Sequence, residues 1–268
     1  MPGISLTNAL RSEYRNLFET CSLLPNRQTA VQEIIAKILP QRSRYEAVSS
    51  TTEVPWFFIS AIHEMESSLD FTTHLHNGDP LSARTVHVPS GRPKAGTPPF
   101  SWEDSARDAL TFESLSGKLD WSLPGLLYQL ERYNGWGYRL GHPYVLSPYL
   151  WSFSNHYTSG KYIADGTWSD SAVSKQCGAA VILRRMTEMG LIEFPDTPTP
   201  LPNSLPLVSS YASIKPTDSV VINRAKDLQT WLNTFPGIFL KVDGFPSDKT
   251  SEAFRKVTGI YLPNDPRG

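Results

Sequence analysis

The chain has 268 residues, 40% of them apolar, and a formal net charge of -1. That length and composition allow one large domain plus a small one, each with a core, and exclude wholesale disorder. The near-neutral balance excludes a dedicated nucleic-acid binder, which would carry a strong basic excess.

In chain order, residues 5–20 and 27–39 read as two amphipathic helices. Leu6, Leu10, Tyr14 and Leu17 recur at helical spacing in the first, and Val31, Ile34, Ile35 and Ile38 in the second, which Pro40 stops. A third helix is expected from Pro55, a residue suited to a first turn, to about Leu69. Residues 71–100 are rich in Gly, Pro, His, Asn and Thr and predict a small β-hairpin region that includes Thr85-Val86-His87-Val88. Helical pattern returns at 101–114, behind Ser101 as N-cap, and again at 121–133 and 171–190. Five prolines between Pro195 and Pro206 predict a stiff, extended linker over 196–212. The expected division is 1–195, a linker 196–212, and a small domain 213–268. No segment reaches the ~18 apolar residues of a membrane span, so no membrane insertion is expected. The N-terminus lacks a basic stretch followed by an apolar run, so no signal peptide is visible and synthesis in the cytoplasm is expected. Cys21 and Cys177 fit no metal-ligand spacing; buried thiols are the favoured reading, with a single disulfide left open.

The third helix carries two acids. Glu66 shares a face with Ile59, Ile62 and Leu69, whereas Glu64 lies about 200° round the helix, on the side of Ser60, Ser67 and Ser68. Glu64 is therefore expected in solvent and Glu66 on an apolar stripe. Burial and the negative helix C-terminus would both raise the pKa of Glu66, which suits a general acid. The alternative is an internal ion pair with Arg84 or Arg139. His74, His76 and His87 could be drawn as a zinc site, but histidines hydrogen-bonded within a polar region are preferred, and neither metal nor cofactor is expected. There is no Gly-x-Ser-x-Gly elbow and no Gly-Lys-Thr phosphate loop.

A helix ending in Glu66-Ser67-Ser68, then a polar region, then Tyr133-Asn134-Gly135 resembles the lysozyme superfamily, which includes phage endolysins and lytic transglycosylases. The resemblance spans roughly residues 45–185. It implies an α+β, mainly α catalytic domain that cleaves peptidoglycan glycan strands with Glu66 as general acid. Within it, Asp79 followed six residues later by Thr85 matches the base and water-holding pair of the phage-type enzymes. The interval from Glu66 is 13 residues, longer than that group's usual nine, and Asp79 could equally be turn chemistry. Tyr133, Asn134, Tyr149 and Trp151 are the expected substrate-binding residues of the cleft, among aromatics that suit sugar rings.

Leu228-Gln229-x-x-Leu232, Val242-Asp243-Gly244 and Thr250 before Ala253-Phe254 resemble the three-helix peptidoglycan-binding domain, with Phe245-Pro246 departing from its Phe-Gly pair. Thr250 is expected to N-cap the last helix. The two resemblances lie on separate segments and imply one polymer. The expectation is a monomeric endolysin-type muramidase, a glycoside hydrolase acting on the cell wall after release. A lytic transglycosylase, a chitinase-like relative and a non-catalytic wall-binding protein are the alternatives.

Overall fold

A computed structural model describes residues 4–195, 209–235, 238 and 240–268. The chain divides into two compact units, Met1–Phe194 and Pro195–Gly268. The fold is mainly helical, and the one sheet among the described residues is a two-stranded antiparallel hairpin. None of the described helices is long and apolar enough to cross a membrane.

In the first unit, α1 (Asn8–Thr20) begins at Thr7, whose hydroxyl accepts from the Leu10 N–H, and buries Leu10, Tyr14 and Phe18. Helix α2 (Gln28–Ile38) buries Val31, Ile35 and Ile38, as its periodicity predicts. Pro40 does not end helical structure. It sits in a short 3-10 turn, Leu39–Gln41, leading into α3 (Arg42–Thr52), a helix with no counterpart in the sequence reading. Its buried side chains, Tyr45, Val48 and Thr52, are too few and too mixed to form a visible apolar stripe. Helix α4 (Trp56–Ser67) runs through the middle of the core, with every residue from Phe57 to His63 buried. Helices α3 and α9 (Ala179–Glu188) pack against it; α5 (Trp102–Phe112) packs on α3 and α6 (Leu123–Asn134) on α1, with short turns α7 (Gly137–Gly141) and α8 (Pro148–Trp151) following α6.

The strands are not where the sequence reading puts them. Residues 71–100 form an irregular loop with a single isolated bridge, Thr73 to Pro80, because their polar groups bond within the loop and to α5. The hairpin is β1 (Lys161–Ala164) paired with β2 (Thr167–Ser169). Its two-residue connection is Asp165-Gly166, with Gly166 at φ 67°, a turn that favours glycine.

In the second unit, α10 (Ser219–Leu232) and α11 (Asp248–Thr258) pack around Leu228, Leu232, Ala253 and Phe254. These are the only two helices among the described residues of that unit, not the expected three. Residues 196–208 of the expected linker lie outside the described residues, and 209–212 belong to the small unit. Ser209 is buried, Tyr211 donates its N–H to Pro263 O, and Ala212 donates to Pro246 O. Thr250 is not the N-cap of α11; Ser247 holds that position, and the buried Thr250 hydroxyl accepts from Gln229 Nε2 at 3.2 Å. The Gln229 Oε1 accepts from the Asp243 and Gly244 N–H groups at 3.0 and 2.9 Å, which explains physically why Gln follows Leu here. Gly244 has φ 72°, and a Cβ there would lie 2.6 Å from Ile222 Cγ2.

Helices α1, α6 and α7 are joined by a buried ionic cluster. The Tyr14 hydroxyl donates to Glu131, and Arg139 grips the same carboxylate with Nε at 3.0 Å and Nη2 at 2.8 Å. Removing the carboxylate would leave the phenol without its acceptor and the guanidinium with Glu13 alone. Glu131→Ala is expected to destabilise the first unit by about 1–3 kcal/mol. Urea denaturation of the variant and the parent checks this.

Candidate active site

Glu66 lies in the last turn of α4, and three interactions fix that turn. Ser68 and Leu69 both adopt left-handed conformations, at φ 52° and 63°, closing the helix through Ser68 N–H to Glu64 O and Leu69 N–H to His63 O. A left-handed Leu is costly, so the end of this helix is held in place by its surroundings. Gln176, from the segment after the hairpin, donates both Nε2 hydrogens to helix-end carbonyls, Glu64 O at 3.2 Å and Met65 O at 2.8 Å. Buried His63 joins Tyr45 Oη to Asp70 O, at 3.0 and 3.2 Å. Burial pushes the His63 pKa down to about 4, so it stays neutral and holds the chain as it leaves the helix.

Among the described residues the Glu66 carboxyl has no cationic partner. Arg84 bonds to Gly96 O, and Arg139 to Glu131 and Glu13, so neither forms the ion pair considered as the alternative. Its one hydrogen-bond partner among the described residues is Tyr149, whose hydroxyl donates to Oε1 at 2.9 Å. Burial pushes the pKa up to about 7; the Tyr149 bond acts against that rise, and the nearby Glu113 charge adds to it. Burial and the Glu66 charge also raise the pKa values of Tyr133 and Tyr149, so both stay protonated. Glu64 is half-buried, not solvated as expected, and burial raises its pKa too.

Beside this carboxyl runs a groove of about 330 Å³, whose lining includes Met65, Asn134, Tyr138, Tyr149, Tyr162 and Gln176. Asn134 and Tyr149, expected as cleft residues, both line this groove. Tyr133 stands beside Glu66 and packs on the core, outside the groove lining. Trp151 is 2% exposed, packed edge-on to His156 in the core, and is therefore corrected from a cleft residue to a structural one. Gln176, Tyr138 and Tyr162 carried no pattern that marked them. The Asp165-Gly166 turn was a legible hairpin signal that would have placed Tyr162 on a strand.

Asp79 is placed as the organiser of the 71–100 loop. One oxygen accepts from the Val86 and His87 N–H groups at 2.7 and 3.0 Å, and the other meets His87 Nδ1 at 2.5 Å. Burial opposes its ionisation, yet the His87 and Val86 hydrogen bonds prevail and hold its pKa at about 2. Thr85 is buried and similarly committed. Its hydroxyl donates to Pro89 O at 2.6 Å and accepts from Arg92 N–H at 2.9 Å. The histidines weighed as metal ligands are engaged elsewhere: His74 with Ser105 and Ala83 O, His76 with Asp108, His87 with Asp79. Cys21 and Cys177 are buried thiols.

No family model, curated protein or solved structure matches this chain, so its functional reading rests on the site itself.

The raised pKa of Glu66 has two measurable consequences. Tyr149→Phe removes a bond that favours the carboxylate, so the Glu66 titration is expected to move above about 7, as followed by NMR of the labelled carboxyl. A raised acid also lowers stability as pH climbs from its ordinary value of 4.5 through 7, because only the native state retains the proton in that window. Glu66→Gln is therefore expected to raise Tm more at pH 8 than at pH 5, by scanning calorimetry.

Proposed function

We propose that the first unit is a peptidoglycan-cleaving glycosidase of the muramidase type. It would act on the MurNAc-β-1,4-GlcNAc bond, and the second unit would tether it to the same polymer. The observation that carries this reading is Glu66: a carboxyl with no cationic partner among the described residues, its pKa raised toward neutral pH, beside a groove lined by tyrosines and amides. Such a group can deliver its proton to a glycosidic oxygen as the bond breaks, and Tyr149 aims it. The tether raises the local concentration of the enzyme at the wall.

One observation favours a second reading, a lytic transglycosylase. Hydrolysis with inversion uses a second carboxylate to activate water, and Asp79, the sequence-based candidate, has both oxygens occupied by its own loop. In the transglycosylase route the sugar's own hydroxyl attacks, and Glu66 is the only acid required.

Digestion of purified sacculi followed by mass spectrometry tests both readings. Glu66→Gln is expected to lose activity by on the order of a hundredfold or more. Wild-type activity should fall above about pH 7 as Glu66 gives up its proton. Reducing-end fragments would support the hydrolase, and 1,6-anhydro ends the transglycosylase. Sacculi bound and left intact by the wild type would instead identify a wall-binding protein and sink the enzymatic reading.

A further inference from the structure

The groove beside Glu66 is lined by one charged residue, Lys161, and no acid. Lys161 opens β1 and is half-buried, and among the described residues it makes no ion pair. Its position is fixed by the way the hairpin docks. The next residue, Tyr162, donates its hydroxyl to Gly137 O at 3.3 Å and its N–H to Tyr138 Oη at 3.4 Å. Its ring lies against α7, where a Cβ at Gly141 would come within 3.1 Å of the Tyr162 hydroxyl. On β2, Trp168 stacks on His142 at 3.5 Å and packs against Tyr138 and Tyr162. A two-stranded hairpin is marginal by itself, and this aromatic cluster holds it against α7.

A lysine on a docked strand, lining an otherwise uncharged groove, is a means of selecting an anionic ligand. We propose that Lys161 is the specificity-determining residue of this groove and binds a carboxylate carried by the glycan. Glycans bearing carboxylates are thereby preferred over neutral chitin. This rests on the glycan-cleaving reading above and names the substrate chemistry that the site selects. The carboxylate has two sources in peptidoglycan: the lactyl group of a muramyl sugar stripped of its peptide, and the acidic groups of an attached stem peptide.

The test is an NMR titration of the full chain carrying Glu66→Gln, which leaves the glycan uncut. Labelled Tyr149 and Tyr162 rings report the groove and not the second unit. Three oligosaccharides of equal length are compared: peptide-stripped peptidoglycan, peptide-bearing peptidoglycan, and chitin. We expect the carboxylate-bearing glycans to bind about tenfold more tightly than chitin, as one charge-assisted hydrogen bond provides. Adding Lys161→Gln should bring that ratio to about one, and Lys161→Arg should keep most of it. A preference confined to the peptide-bearing glycan would assign the stem carboxylates; one shared by the stripped glycan would assign the lactyl group. Equal binding of charged and neutral glycans, or a ratio unmoved by Lys161→Gln, overturns the proposal alone. No response of the rings to any of the three overturns the glycan reading as well.

Discussion

Glu66 is half-buried, its carboxyl largely desolvated and bonded among the described residues to one phenol hydroxyl, and much of the first unit follows from that. An acid in such a setting relieves its cost by staying protonated, not by finding a cation. It must also be prevented from moving toward solvent. Helix α4 accomplishes this by lying in the core along most of its length and exposing only its last turn. The backbone of that turn is then closed by Ser68 and Leu69, by Gln176, and by the neutral ring of His63. Each contact acts on the helix end and none on the carboxyl itself, so the proton is left available.

The loop after this helix is ordered by different means. It lacks a ladder of strand hydrogen bonds, and its charged groups do that work instead. Asp79 gathers Val86 and His87, while Asp108 on α5 takes both His76 Nε2 and Arg92 Nε at 2.8 Å. The carboxylate of Asp79 favours the folded loop above its ordinary pKa, and this contribution is lost as pH falls toward 2.

How far the sequence could be read depended on whether burial left a period. Helices α1, α2 and α5 have one buried stripe each and were legible to within a few residues. Helix α3 has mixed buried residues and was missed. Glu66 stood out because an acid on an apolar face is rare, Asn134 because it belongs to a recognisable turn, and Tyr149 because it falls in the aromatic run after that turn. The error over Glu64 has a plain cause: its face of α4 is covered by other parts of the unit, which the local pattern does not record. Asp79 was legible as turn chemistry, but its bonds to Val86 and His87 arise only once the loop closes. Trp151 shows the limit of reading aromatics, since a core indole and one lining a groove look alike in one dimension.

Gln176 has one more consequence. Its two amide hydrogens are both committed to the carbonyls of Glu64 and Met65, yet the residue also lines the groove. What remains of its side-chain polarity is the Oε1 lone pairs, which accept and do not donate. A ligand group seated against this side chain gains a hydrogen bond only by bringing its own hydrogen. The clamp that steadies the end of α4 thus also fixes the polarity of that stretch of wall.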